Sequence, residues 1–114
     1  TSEFNIESPG AGKLEIENLS ATDVEIRLSG AGNIELGGQA DSVTVNVSGA
    51  GNLQAEDFEV DEANVTISGF GNVALSVSQS LDVEISGAGN VSYYGNPSVH
   101  QQISGLGKVS KLGD

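Results

Sequence analysis

The 114-residue chain has no cysteine, methionine or tryptophan, and it has only two prolines and four basic residues. The absence of cysteine excludes disulfides, thiolate metal sites and a cysteine nucleophile. No apolar run approaches the roughly 18 residues that a membrane-spanning helix needs, so we expect no membrane insertion of this segment. Sixteen acidic residues give a net charge of −12. That charge argues against nucleic acids and anionic membrane surfaces as partners.

Because the chain has no methionine, Thr1 is not a natural start. We therefore expect a processed or trimmed form, from which any signal peptide has been removed. The length suits a single domain over residues 1–114.

Glycine is abundant, with 16 residues, and most of it lies in a repeat. Ser-Gly-x-Gly occurs five times, and a shortened copy, Gly-Ala-Gly, lies near the start. The first glycines of the six copies are 20, 19, 20, 18 and 18 residues apart. Such regular spacing predicts stacked structural repeats. We divide the chain into a rung tail (1–9), repeats at 10–29, 30–48, 49–68, 69–86 and 87–104, and a partial C-terminal rung (105–114).

Apolar and polar residues alternate on both sides of each Ser-Gly-x-Gly. Val43, Val45 and Val47, for example, are separated by Thr44 and Asn46. A period of two predicts strands with one buried face. We expect two short strands in each unit and essentially no helix.

A unit of about 19 residues cannot bury its apolar face alone, but stacked copies can. Stacking would place equivalent residues of successive repeats on top of one another and form two apolar columns. The first column is Leu28, Val47, Ile67, Ile85 and Ile103, and the second is Leu14, Ile34, Leu53, Val73, Val91 and Val109. The prediction is an all-β, single-stranded parallel β-helix (β-solenoid) of about five to six rungs. A β-sandwich of hairpins is the alternative, and it would make these columns accidental.

The corner motif suggests roles for its residues. Two glycines two apart permit a sharp bend. The residue between them is apolar, so we expect it to point inward (Ala11, Ala31, Ala50, Phe70, Ala88, Leu106). The asparagines that follow are expected to form a structural ladder or to shape the turn, with a ligand-binding row as the alternative (Asn33, Asn52, Asn72, Asn90).

Two features are candidates for binding. Residues 56–62 contain five carboxylates, and we expect a solvated loop that bulges from the solenoid (Glu56, Asp57, Glu59, Asp61, Glu62). A weak Ca²⁺ site is the alternative, although the nonapeptide of calcium-binding solenoids is missing. In Tyr93-Tyr94 one ring should face inward and the other outward. Tyr94 is then either a carbohydrate contact or part of a plug for the last rung. We predict no metal site and no cofactor.

We find no candidate catalytic residue and predict that the chain is not an enzyme. His100 is the only histidine, and the alternation places it outward, in the column of Asp82. The serines occupy repeated corners instead of a nucleophile elbow. A polysaccharide lyase of the β-helix type would need a basic proton abstractor, and Arg27 stands alone.

The repeated Ser-Gly-x-Gly-Asn rungs, the segment Val91-Ser92-Tyr93-Tyr94-Gly95-Asn96-Pro97 and the last Ser104-Gly105-Leu106-Gly107 form a recognisable pattern. From residue 8 to about residue 112 the chain resembles the bacterial family named putative auto-transporter adhesin, head GIN domain. The resemblance implies a right-handed parallel β-helix and an adhesive role. It also implies a location in the cell envelope, at the outer surface or in the periplasm, or secretion.

Three functional hypotheses follow. The first is a non-catalytic binding module that presents its sheet faces to an unknown surface protein or glycan. The second is an assembly module in which open rung ends pair with other copies and form a homo-oligomer. The third, least favoured, is a carbohydrate-active β-helix enzyme.

Overall fold

The computed structural model of the chain describes residues 3–8, 10 and 12–113. These residues form eight β-strands and no helix. The strands are β1 (Glu3–Ser8), β2 (Gly12–Leu28), β3 (Ala31–Val47), β4 (Ala50–Ile67), β5 (Phe70–Ile85), β6 (Ala88–Tyr94), β7 (Ser98–Ile103) and β8 (Leu106–Gly113). The described residues contain no helix that is long and apolar enough to cross a membrane.

Consecutive turns pair in parallel in one sheet, in the order β1-β2-β3-β4-β5-β6-β8, and β7 pairs with β5. Every strand pairing in the described part of the chain is parallel. The fold is thus a parallel β-solenoid of about 6 turns, as the repeat predicted. A sandwich of hairpins would need antiparallel pairs, so that alternative is wrong.

Each of the middle turns is one long strand instead of the two short strands that we expected. Strands β2 to β5 are 16 to 18 residues long and are interrupted only at the Ser-Gly corners. The second bend of each turn is absorbed as a register shift within the ladder, for example between Glu35 and Gly37. A bulge of this kind bends a strand without ending its pairing. Only the last turn separates into two strands, β6 and β7, around Gly95–Pro97.

The core lies inside the coil, where both predicted columns stack in register. Val47 pairs with Leu28 on one side and with Ile67 on the other, and Leu53 lies between Ile34 and Val73. Val45, Ile67 and Leu75 are fully buried, and no polar side chain of the described residues is buried. β-branched side chains dominate these columns because they suit a pleated, packed surface.

The apolar residue between the corner glycines points outward, so our expectation was wrong. Phe70 is 66% exposed and Leu106 83% exposed. Ala31 and Ala50 are also exposed and Ala88 is half-buried, whereas Ala11 lies outside the described residues.

The reason is that the second glycine takes the inward position. A Cβ added to Gly71 would lie 2.9 Å from Cγ1 of Val47, and one added to Gly89 would lie 3.1 Å from Cγ2 of Ile67. The core side chains of the preceding turn already fill this space, so only glycine fits. Strand alternation then directs the residue before it to the outside.

The acidic stretch 56–62 belongs to strand β4 and does not form the bulging loop that we expected. Phe58 and Val60 alternate with the carboxylates and are buried, with 0% and 2% exposure. These two apolar anchors hold the segment against the core. A register shift between Ala55 and Glu59 accommodates three unpaired residues of β4, and a second shift between Val60 and Glu62 accommodates one extra residue of β5.

Candidate functional site

One exposed row of the solenoid is made of asparagine amides, one from each of four successive turns. Nδ2 of Asn52 donates to Oδ1 of Asn33 at 2.9 Å, Nδ2 of Asn72 donates to Asn52 at 3.0 Å, and Nδ2 of Asn90 donates to Asn72 at 3.2 Å. The side-chain amides of Asn52 and Asn72 therefore each use one donor and one acceptor in hydrogen bonds to their neighbours. This arrangement favours a structural role for the row over a ligand-binding one.

A larger concave feature crosses the connecting segments, which we define as residues 17–22, 36–41, 56–61, 76–79 and 94–97. Within each turn, a connecting segment joins the residues that follow one Ser-Gly-x-Gly corner to the residues that precede the next corner. A groove of about 770 Å³ runs over them through five successive turns. We call it the connecting groove.

The connecting groove is lined mainly by polar groups. Asp41, Glu59 and Asp61 supply carboxylates, and no lysine or arginine is among its described lining residues. Hydroxyl groups come from Ser20, Thr22, Ser76, Ser78 and Tyr94. The groove is thus suited to a polar ligand that is neutral or positively charged.

Hydrogen bonds between turns hold part of this lining in place. Oγ of Ser78 donates to Oδ1 of Asp61 at 3.0 Å, and Oγ of Ser76 donates to the backbone carbonyl of Glu56 at 2.6 Å. Both bonds link β5 to β4. They fix side chains at the groove before any ligand arrives, which lowers the entropy lost on binding.

Tyr94 lies at one end of the connecting groove and bridges to an earlier turn. Its hydroxyl donates to Oε2 of Glu56 at 3.3 Å. Tyr94 is half-buried, whereas Tyr93 packs partly against the core. The two rings therefore face opposite ways, as the sequence predicted.

The structure brings together some of the predicted binding residues and not others. Tyr94, Glu59 and Asp61 line the connecting groove, and Glu56 contacts Tyr94. Asp57 lies beside Gly37, and Glu62 is paired with Ser42 and Ser80 outside the groove. In the described part of the chain, no group of three or more metal-ligating side chains converges.

Sequence reasoning missed several lining residues, among them Ser20, Gln39 and Ser76. They lie in the connecting segments, where no motif repeats and the register shifts. A signal was nevertheless present, because Ser20, Gln39 and Glu59 follow one another at the repeat spacing and stack in register.

Other charged residues lie on the outside of the coil. Glu15 and Glu35 stack in register, and Nζ of Lys13 lies 3.1 Å from Glu15 and 3.7 Å from Glu35. The hydrogen bond to Glu15 and the charge of Glu35 raise the pKa of Lys13. His100 stacks on Asp82, and both are exposed, as predicted.

Two solved structures share this fold. A putative adhesin from Bacteroides fragilis superposes with a TM-score of 0.90 at 24% identity, over 96% of this chain and 52% of its own. A putative lipid binding protein from Parabacteroides distasonis superposes with a TM-score of 0.74 at 29% identity, over 96% of this chain and 51% of its own. The chain thus spans about half the length of both.

No curated protein sequence matches the chain significantly. The sequence profile of the family described as "Putative auto-transporter adhesin, head GIN domain" matches residues 1–97. With most of its length matched, the chain belongs to this head GIN domain family.

Proposed function

We propose that the chain is a non-catalytic binding module of a cell-surface or secreted adhesin, and that the connecting groove binds a neutral or amine-bearing glycan. The family description and the name of the Bacteroides fragilis protein support an adhesive role. The observation that carries the proposal is the groove itself, which extends a polar lining across five turns.

The chemistry of the lining favours a glycan. Its hydroxyl, carboxylate and amide groups recur from turn to turn, about 4.8 Å apart in a parallel ladder. Such rows offer a repeating polymer many hydrogen bonds in sequence. The half-buried ring of Tyr94 can pack against a sugar at one end, and the carboxylates repel polyanionic chains.

The placement of titratable groups supports a non-catalytic role. His100 stacks on Asp82, away from the connecting groove. Arg27 Nε lies 2.9 Å from Oε1 of Glu25, and Lys13 contacts Glu15 and Glu35, so both cations are engaged in ion pairs on the outer surface. None of these groups is placed to abstract a proton from a ligand in the groove.

A glycan array probed with the labelled protein tests the proposal. We expect binding to neutral or amine-bearing glycans, with affinity reduced about tenfold or more in Tyr94→Ala and in Asp61→Asn, which corresponds to about 1.4 kcal/mol. Asp82→Asn is the control, because it removes an exposed carboxylate outside the groove. Binding to polyanionic glycans alone, or equal losses in Asp61→Asn and Asp82→Asn, would refute it.

A further inference from the structure

The outward residues of the corners form a continuous apolar ridge. Ala31, Ala50, Phe70, Ala88 and Leu106 pair in register from one turn to the next. We call this column the corner ridge. With Phe70 66% and Leu106 83% exposed, it carries the two most exposed large apolar side chains of the described surface. A contiguous exposed apolar column of this kind is a candidate interaction surface.

The corner ridge is also free of negative charge. The corners (29–33, 48–52, 68–72, 86–90 and 104–108) contain no Asp or Glu, although the chain has 16, and Lys108 is their one charged residue. Two copies with a net charge of −12 each repel one another. Contact between two copies through the corner ridge therefore brings no carboxylate of the corners against another.

The order of large and small residues along the ridge is self-complementary. If a second copy is placed antiparallel, Phe70 lies opposite the partner's Ala88, and Leu106 lies opposite the partner's Ala50. The two-fold axis repeats both pairs, so each large side chain faces an alanine. A two-fold interface requires this reciprocity, in which the same patch serves both copies.

A depression beside the ridge provides the space for the large side chain. A cavity of about 420 Å³ is lined by Ala31, Ala50, Gly51 and Phe70, among others. The antiparallel arrangement places the partner's Leu106 over Ala50, at this cavity.

We propose that the protein forms a two-fold symmetric, antiparallel homodimer through the corner ridge. Four steps of about 4.8 Å give a ridge about 19 Å long, so the interface is smaller than the ~1,600 Å² of standard complexes and the dimer is weak. The ridge and the connecting groove share no residue. Both grooves of the dimer therefore stay open.

Pairing through the rung ends is less favourable than pairing through the ridge. In the last turn Gln101 continues the column of Val83, and Lys111 continues that of Tyr93. Because these two positions carry polar side chains where the preceding turn carries Val83 and Tyr93, the end offers a stacked copy less apolar surface to bury.

Sedimentation velocity over a concentration series tests the dimer. We expect the wild type to associate with a dissociation constant in the micromolar range or weaker. Ala88→Glu should weaken association at least tenfold, because it places carboxylates near the two-fold axis. Ala74→Glu is the matched control, since Ala74 is an equally half-buried alanine of β5 outside the ridge. Circular dichroism melting would verify that both variants fold.

Disulfide trapping tests the register, because the chain has no other cysteine. A mixture of Ala50→Cys and Leu106→Cys proteins should form a mixed disulfide, whereas each alone should not. In the antiparallel dimer two copies of position 50 are about 14 Å apart along the ridge, which is too far for a disulfide.

Several results would overturn the proposal. These are a monomer at the highest concentration tested, equal association of Ala88→Glu and Ala74→Glu, and self-disulfides without the mixed species. Flotation with phosphatidylcholine vesicles is a further test. Binding by the wild type that is lost in Phe70→Ser would assign the ridge to lipid instead of a second copy.

Discussion

The hydroxyl of Tyr94 hydrogen-bonds to Oε2 of Glu56, which precedes it by 38 residues. Two turns of the solenoid separate them in sequence, yet parallel stacking brings the two side chains together. The connecting groove depends on the same relationship, because each turn contributes only three of its lining residues. The stacking of turns is thus the basis of both the fold and the proposed site.

Replacing one buried apolar residue with a charged residue tests the assignment of inward and outward side chains. Val45 is fully buried, whereas the neighbouring Thr44 is only half-buried. Val45→Asp should lower the free energy of unfolding by several kcal/mol or prevent folding, because a buried carboxylate has no partner there. Thr44→Asp should change it by about 1 kcal/mol or less. Urea denaturation measures both, and equal effects would contradict the assigned faces.

Adding a methyl group to a corner glycine tests the explanation of the corner. In Gly71→Ala the new Cβ would lie 2.8 Å from the carbonyl oxygen of Gly51 and 2.9 Å from Cγ1 of Val47. We expect a loss of about 1–3 kcal/mol in unfolding free energy from this overpacking. In the control, Gly37→Ala, the nearest atom is 3.8 Å away. The explanation fails if both alanine variants melt at the same temperature.

The amide ladder predicts that inner positions matter more than end positions. Asn52→Ala removes two side-chain hydrogen bonds, whereas Asn90→Ala removes one. At about 0.5–1 kcal/mol for each exposed bond, the loss in unfolding free energy for Asn52→Ala should be about twice that for Asn90→Ala. Chemical denaturation of both variants measures this ratio. A larger loss at position 90 would contradict the ladder.

The raised pKa of Lys13 predicts a small change of stability at alkaline pH. A group whose pKa is raised by folding stabilises the fold fully below its unfolded value, here 10.5, and loses this contribution as the pH rises through the folded value. Unfolding free energy should therefore fall more steeply above pH 10.5 in the wild type than in Lys13→Gln. Urea titrations from pH 9 to 11.5 provide the comparison, and identical slopes would exclude the effect.

The sequence predicted the parts of the structure that repeat. Val47 and Ile67 could be stacked in advance because alternation decided which side they face and the repeat length decided their neighbours. The outward direction of Phe70 could not be found in this way. It depends on the space left by Val47 of the preceding turn, which admits a glycine and nothing larger. The apolar character of the residue between the corner glycines did not by itself show whether that residue or the second glycine takes the inward position.

The connecting groove could not be predicted from any single motif. Ser76 and Glu59 become neighbours only through a register shift that skips three residues of β4. The same shift converts the expected acidic loop into strand, because Phe58 enters the core. Where repeat lengths differ, the position of the extra residues depends on packing instead of periodicity.

Nuclear Overhauser effects between backbone protons of β3 and β4 test the stacking of turns most directly. The parallel solenoid predicts contacts at a constant offset, with Val43 near Ala63, Val45 near Val65 and Val47 near Ile67. Contacts in which the residue number in β4 falls as the residue number in β3 rises, such as Val43 with Ile67 and Val47 with Ala63, would show antiparallel strands and contradict the account.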